Sequence, residues 1–238
     1  MYRRYFGHLF SIFFLCFNTL YAKEVVILIH GLGRHASSMK HIKNKLVNED
    51  LDIYSLEYES RLQNFNENVR EIQKKIQSLP LSKDKKISFI GHSLGGLIAM
   101  KILSELPSER RGLCITLGSP FYGSPVLEFL KTIPSVNNFY GPIFNELAYF
   151  DADSAFESDV HPVCLVGKEC PIYLNVFGWL FMNKERYHDC LVGVNSASYK
   201  KAQSITLVKT HHNGLLFDEK SLAFIQDQLQ VLQKKEAT

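Results

Sequence analysis

The sequence predicts an α/β fold: a mostly parallel sheet of about six strands with helices on both faces. Two observations carry that expectation. Short runs of β-branched and apolar residues alternate with longer stretches of helical period, as parallel strands covered by crossover helices require. A serine flanked by glycines also stands where one such run ends and a helix would begin. The runs at 24–30 (EVVILIH), 51–57, 86–92, 112–117, 172–177 and 204–209 each fit a short buried strand. Between the second and third, Phe65, Val69, Ile72, Ile76 and Leu79 recur at spacings of three and four before Pro80, which predicts an amphipathic helix with a solvated charged face. Residues 121–171 make too long a segment for a plain connection and are expected to form a cap or lid insertion. Val126, Leu127, Leu130 and Ile133, then Phe139, Ile143, Phe144 and Leu147, give that cap near-helical apolar stripes.

The chain has 238 residues, 46% apolar and 21% charged, the composition of one ordinary globular domain. That domain is expected over residues 23–238, because residues 1–22 read as a secretory signal peptide: Arg3 and Arg4 precede an apolar run to Leu20 and then Tyr21-Ala22. The run is shorter than the ~20 apolar residues of a membrane-spanning helix. An exported protein, periplasmic or secreted, is therefore expected; the alternative is an uncleaved N-terminal anchor. Without the leader, 25 basic side chains face 24 acidic ones, and a balance so near neutral gives no electrostatic case for nucleic acid. Cys114, Cys164, Cys170 and Cys190 remain, an even number compatible with disulfides. Cys164 and Cys170 are the expected pair, being close in sequence within the long segment, and Cys114 looks like a buried strand residue.

Gly91-His92-Ser93-Leu94-Gly95, followed by Gly96, fits the sharp strand-to-helix turn that exposes a nucleophile. Such a turn strains the serine backbone and leaves no room for side chains two residues to either side, where Gly91 and Gly95 stand. A serine hydroxyl is a weak nucleophile until a base accepts its proton, so a histidine and an orienting acid must follow. His212 lies just after the last expected strand. Asp189 lies after the preceding one, whereas Asp151, Asp153 and Asp159 fall inside the insertion and are expected to be solvated there. An oxyanion developing on an attacked carbonyl needs two backbone N–H donors. Leu94 directly after the serine supplies one, and the small-residue turn His30-Gly31-Leu32-Gly33 supplies the other, from Leu32.

Together these segments resemble the bacterial lipases and esterases of the α/β-hydrolase superfamily, with a look of the small compact lipases. The resemblance rests on HGLG at 30–33, GHSLGG at 91–96, TLGSPFYGSP at 116–125, DCLV at 189–192 and HNGLL at 212–216, in that order over most of the mature chain. It implies the α/β-hydrolase fold, a triad of Ser93, Asp189 and His212, and cleavage of a small-molecule or lipid ester through an acyl-enzyme, with transient contact at a lipid surface. Thioester cleavage or acyl transfer on the same triad are alternatives. By the same resemblance the base is His212 rather than His211, and no cofactor or metal is expected. One departure stands out: some ten residues, 179–188, separate the expected strand from Asp189, more than compact lipases show.

Readings of other classes compete, among them a hydrolase fold without catalysis used as a binding protein, which nothing in the sequence supports because every inferred catalytic position is filled. Gly31-Leu32-Gly33-Arg34-His35-Ala36 after a strand matches a dinucleotide fingerprint, with Glu57 about twenty residues on. It leaves the serine turn, Asp189 and His212 unexplained. A metal at His188, Asp189, His211 and His212 is disfavoured because adjacent side chains point apart.

Overall fold

Every residue of the run EVVILI is buried, which an α/β sheet allows only for a strand with neighbours on both sides and helices on both faces. This is β1 (Glu24–Ile29), and it pairs in parallel with β2 (Leu51–Leu56) on one side and β3 (Ile87–His92) on the other. The sheet continues through β4 (Arg111–Leu117), β5 (Val163–Gly167) and β6 (Ser204–Val208), in the order β2-β1-β3-β4-β5-β6 with every pairing parallel. The computed structural model describes residues 24–47, 51–82, 85–156, 159–171, 182 and 187–236. The leader at 1–22 and the strand expected at 172–177 lie outside the described residues.

Helices cover both faces of the sheet. On one side lie α2 (Phe65–Ser78) and α3 (Leu94–Glu105), packed on Val25, Ile27, Phe89 and the cap. On the other, α1 (Lys40–Leu46) and the C-terminal helix α8 (Glu219–Glu236) meet Val26, Leu28, Ile90, Ile115 and Leu165. The amphipathic helix expected from residue 65 is α2. It starts at Asn64, whose side chain accepts from Glu67 N–H while Glu67 reaches back to the Asn64 N–H, a reciprocal cap. At the amino-terminal edge of the sheet, Ser88 ties three strands together: its hydroxyl donates to Glu24 (2.6 Å) and accepts from Leu113 N–H (2.8 Å).

The long connection after β4 carries α4 (Pro125–Leu130), α5 (Pro134–Tyr140), α6 (Pro142–Ala148) and the single turn α7 (Ala152–Ala155). The end of the segment expected as insertion is different: Val163–Gly167 is the fifth strand of the sheet. Lying between Pro162 and Lys168 at the end of the long segment after β4, it reads in sequence as part of the insertion. Arg61 stacks on Phe139, and Phe65 N–H donates to Glu146 (2.9 Å), so this region docks on the start of α2.

Strand β5 also changes the disulfide. Cys164 lies inside the strand, buried, where its thiol stays protonated because burial pushes it up, and it cannot reach Cys170. Cys170 instead bonds Cys190, twenty residues on, beside Asp189. Cys114 is buried in β4, as expected. Peptide mapping without reduction is expected to link Cys170 to Cys190, with Cys114 and Cys164 alkylated only after denaturation. A closed loop of this size contributes about 3 kcal/mol in the chain-entropy model, so reduction should lower the melting temperature.

Candidate active site

The carboxyl ends of β1, β3, β4, β5 and β6 converge on one cavity of about 480 Å³, the edge of an open parallel sheet where ligands bind. Ser93 turns out of β3 into α3 with φ 53 and ψ −122, a conformation that only tight surroundings hold in a residue with a side chain. Those surroundings are Gly91 and Gly95: a Cβ on Gly91 would enter the backbone of Gly95 and Gly96, and one on Gly95 would enter the carbonyls of Ile29 and His30. The Ser93 N–H is held by Leu117 O at 2.9 Å. Among the described residues the Ser93 hydroxyl has no hydrogen-bond partner, so its proton and lone pairs remain available at the cavity it lines.

His212 and Asp189 line the same cavity. His212 Nδ1 lies 2.7 Å from Asp189 Oδ2. A carboxylate only accepts, so the proton sits on Nδ1 and Nε2 keeps its lone pair. Asp189 is fully buried, and its other oxygen accepts from Leu191 N–H (3.0 Å) and Val192 N–H (2.7 Å), so its charge is solvated by the protein. The main chains lock as well, with His212 N–H donating to Asp189 O at 2.8 Å. Gly118, at φ 60 just after β4, leaves space for the pair: a Cβ there would stand 3.0 Å from Asp189 Oδ2 and 3.2 Å from His212 Nδ1. Asp189 itself rests on the end of β5, with Gly167 beneath it, and the Cys170–Cys190 bond ties its loop to that strand.

The rival acids are engaged elsewhere. Asp159 pairs with Arg111, Asp153 with Lys200 and the Tyr122 hydroxyl, and Asp151 caps α7. His211, next to His212, also lines the cavity, but its Nδ1 accepts from Gly214 N–H at 3.3 Å. Leu94, as the first residue of α3, has an N–H without an intrahelical acceptor. The turn 30–33 closes through Arg34 N–H to Gly31 O (3.2 Å) and Gly33 N–H to the Ser60 hydroxyl (2.9 Å), bonds that do not use the N–H of Leu32, a cavity residue. Among the described residues no group of three or more His, Cys, Asp or Glu is placed to hold a metal. Glu57, the acid that a dinucleotide site would need for a ribose, accepts from Ala36 N–H (2.7 Å) and meets His35 at 3.3 Å, so it closes the turn instead.

Sequence reasoning missed His92, Tyr58 and Ser60. The Tyr58 hydroxyl donates to His30 O (2.9 Å) and its ring stacks on His30, fixing the start of the turn at 30–33. His92 Nε2 meets the His212 carbonyl at 3.0 Å and so must donate to it. Burial first, and then the neighbouring His212, hold the His92 imidazole well below its ordinary value. It therefore stays neutral and puts no second cation beside His212. The identity of the residue before Ser93 is the one sequence signal for this role.

A second cavity, about 370 Å³, lies away from these residues between α2 and α3, against Ile76, Leu79, Ile102 and Arg110. It holds none of the candidate catalytic side chains.

Comparison with known proteins places the chain in a family and a fold. Residues 21–160 match the Hydrolase_4 family, described as serine aminopeptidase, S33, a stretch that includes Ser93 and the turn at 30–33 but ends before Asp189 and His212. Comparison with curated protein sequences gives no match. Among solved structures, the mature lipase BlEst2 of Bacillus licheniformis is similar with 16% identity and a TM-score of 0.66, over 89% of this chain and 92% of that one. The metagenomic carboxyl esterase MGS0156 gives 13% identity and a TM-score of 0.70, over 90% and 76%. The esterase EaEST of Exiguobacterium antarcticum gives 16% and 0.55, over 90% and 92%. At these identities the likeness speaks for the fold, which is the α/β-hydrolase fold.

Two expectations follow. If Asp189 orients His212 as the acid of a Ser-His-Asp triad does, Asp189→Asn should slow turnover by about 10³–10⁴-fold, because an amide neither fixes the tautomer nor stabilises an imidazolium. Steady-state kinetics on any hydrolysed substrate checks this, and a wild-type rate would contradict it. The second concerns pH. His30 and His92 are both held low, chiefly by burial, so below about pH 6.5 the unfolded chain binds protons that the folded one does not. Their contribution is complete above that pH and is lost as the pH falls towards the lower folded values, at up to about 1.4 kcal/mol per pH unit for each histidine. Denaturation curves at pH 7.5 and 5.5 should show the loss, and equal stability at both would contradict it.

Proposed function

The chain belongs to the Hydrolase_4 family, serine aminopeptidase S33, and on that premise we propose that it is a serine hydrolase that cleaves carboxylic esters. The observation that carries this reading is the bonded His212–Asp189 pair on the same cavity as the strained Ser93. Ser93 Oγ attacks the ester carbonyl while His212 Nε2 takes its proton, and the carbonyl electron pair moves onto oxygen, where Leu32 and Leu94 N–H groups receive it. Collapse breaks the bond to the alcohol oxygen, which leaves with the proton from His212. Water, deprotonated by the same imidazole, then releases the acid from the acyl-enzyme.

Lining chemistry favours an ester over the N terminus of a peptide. An aminopeptidase must meet an ammonium, yet the carboxylate lining this cavity, Asp189, has both oxygens bonded to His212 and to backbone N–H groups. Leu127, Leu130, Tyr140, Phe144 and Leu147 form an apolar wall that suits an acyl chain. Exposed Leu62 and Phe139 beside the cap support transient contact with a lipid surface. We also propose that the protein is exported, on the strength of the leader-like residues 1–22 and of a disulfide, Cys170–Cys190, that persists in oxidising compartments. Among the described residues no helix is long and apolar enough to cross a membrane.

A panel of p-nitrophenyl esters from acetate to octanoate tests this. Each buried CH₂ contributes ~0.8 kcal/mol, so kcat/KM should rise severalfold per added pair of carbons until the pocket is full, and a flat or falling profile would contradict the acyl wall. Ser93→Ala and His212→Ala should each remove nearly all activity, with the double variant no slower than either single one, because the two residues act as one proton-transfer unit. His211→Ala should be far milder; the reverse ranking would move the base by one residue.

A further inference from the structure

Two chemically different surfaces meet at Ser93. The apolar wall comes from α4, α5 and α6, whereas the loops after β1 and β6 bring Arg34 and His211 to the same cavity. Arg34 is exposed, and among the described residues its guanidinium has no carboxylate or other side-chain partner. Its charge nonetheless reaches the buried His92 imidazole next to Ser93, which places it near the reacting centre. The acids that would answer it are spent: Asp189 on His212, and Glu57 on Ala36 and His35. His211 accepts from Gly214 N–H on Nδ1, so its Nε2 carries the proton and offers a second donor. A guanidinium is suited by its planar fork to bind a carboxylate or phosphate, and among the described residues no such group is bonded to it.

We propose that Arg34 determines substrate class, binding an oxyanion on the alcohol side of the ester while the apolar wall receives the acyl chain. The substrates are then apolar acyl esters of anionic alcohols, with a phosphate or a carboxylate near the scissile bond. This rests on the ester-hydrolase reading above and adds to it the charge of the leaving group.

Three soluble esters with one acyl chain test the proposal: 1-octanoylglycerol, 1-octanoylglycerol 3-phosphate and O-octanoyl-lactate, each assayed below its micelle concentration so that no lipid surface enters. Wild-type kcat/KM should be higher for an anionic ester than for the neutral one by roughly twofold to fivefold, the range of an exposed ion pair, and the preference should shrink in high salt. Arg34→Gln should remove the preference and Arg34→Glu should invert it, with melting temperatures unchanged because the side chain is exposed. A preference for the phosphate identifies a phosphorylated alcohol, and one for the lactate ester a hydroxy acid. Equal wild-type rates on all three, or a proportional loss on all three in Arg34→Gln, would overturn the assignment and leave the ester reading standing. Hydrolysis of none of them, or of any p-nitrophenyl ester, would overturn the ester reading and this proposal with it.

Discussion

Gly95 has no room for a side chain, because the first turn of α3 packs on the carbonyls of Ile29 and His30 at the end of β1. That close approach is the constraint on which the site depends. It forces the chain to leave β3 abruptly, holds Ser93 at a positive φ, and sets the start of α3 beside the turn at 30–33. A side chain at Gly91 or Gly95 would push helix and strand apart and release the serine from its strained conformation. The strain is sustained by the burial around it: Ile29, Ile90, Leu94 and Leu97 are inaccessible to solvent.

The rest of the site is arranged so that charge appears only where the chemistry needs it. Asp189 is a buried carboxylate, tolerable because the His212 N–H and two backbone N–H groups surround it. His92 spans between Ser93 and the His212 loop, yet burial keeps it neutral, so His212 can become an imidazolium without a neighbouring cation opposing it. The Cys170–Cys190 bond and Gly167 hold the acid against β5 although much chain separates them. Arg34 is the exception, a charge at the cavity without a partner among the described residues, and for that reason it points to the substrate.

Much of this was legible in the sequence because the informative positions obey local rules. The GHSLG turn must be glycine-flanked for steric reasons, α2 carries its apolar stripe and its cap within one short segment, and five of the six sheet strands coincide with runs rich in β-branched and apolar residues. What stayed hidden depends on contacts between distant parts of the chain. Strand β5 is five residues long and borrows its identity from β4 and β6 on either side, so residues 163–167 read as part of the insertion. The partner of Cys170 followed from that error, since only the sheet shows that Cys164 is buried in a strand. The roles of Tyr58 and His92 are hydrogen bonds to main-chain carbonyls, which leave no pattern in sequence.

The central claim is that Ser93 is a nucleophile activated by His212 and Asp189. Reaction with a fluorophosphonate ester, followed by peptide mass spectrometry, tests it most directly, because the reagent captures a serine only where a base and an oxyanion site act together. The account predicts one adduct per chain, on the peptide containing Ser93, and none in His212→Ala. An adduct on another residue, or a wild-type protein that hydrolyses esters without being labelled at Ser93, would contradict it.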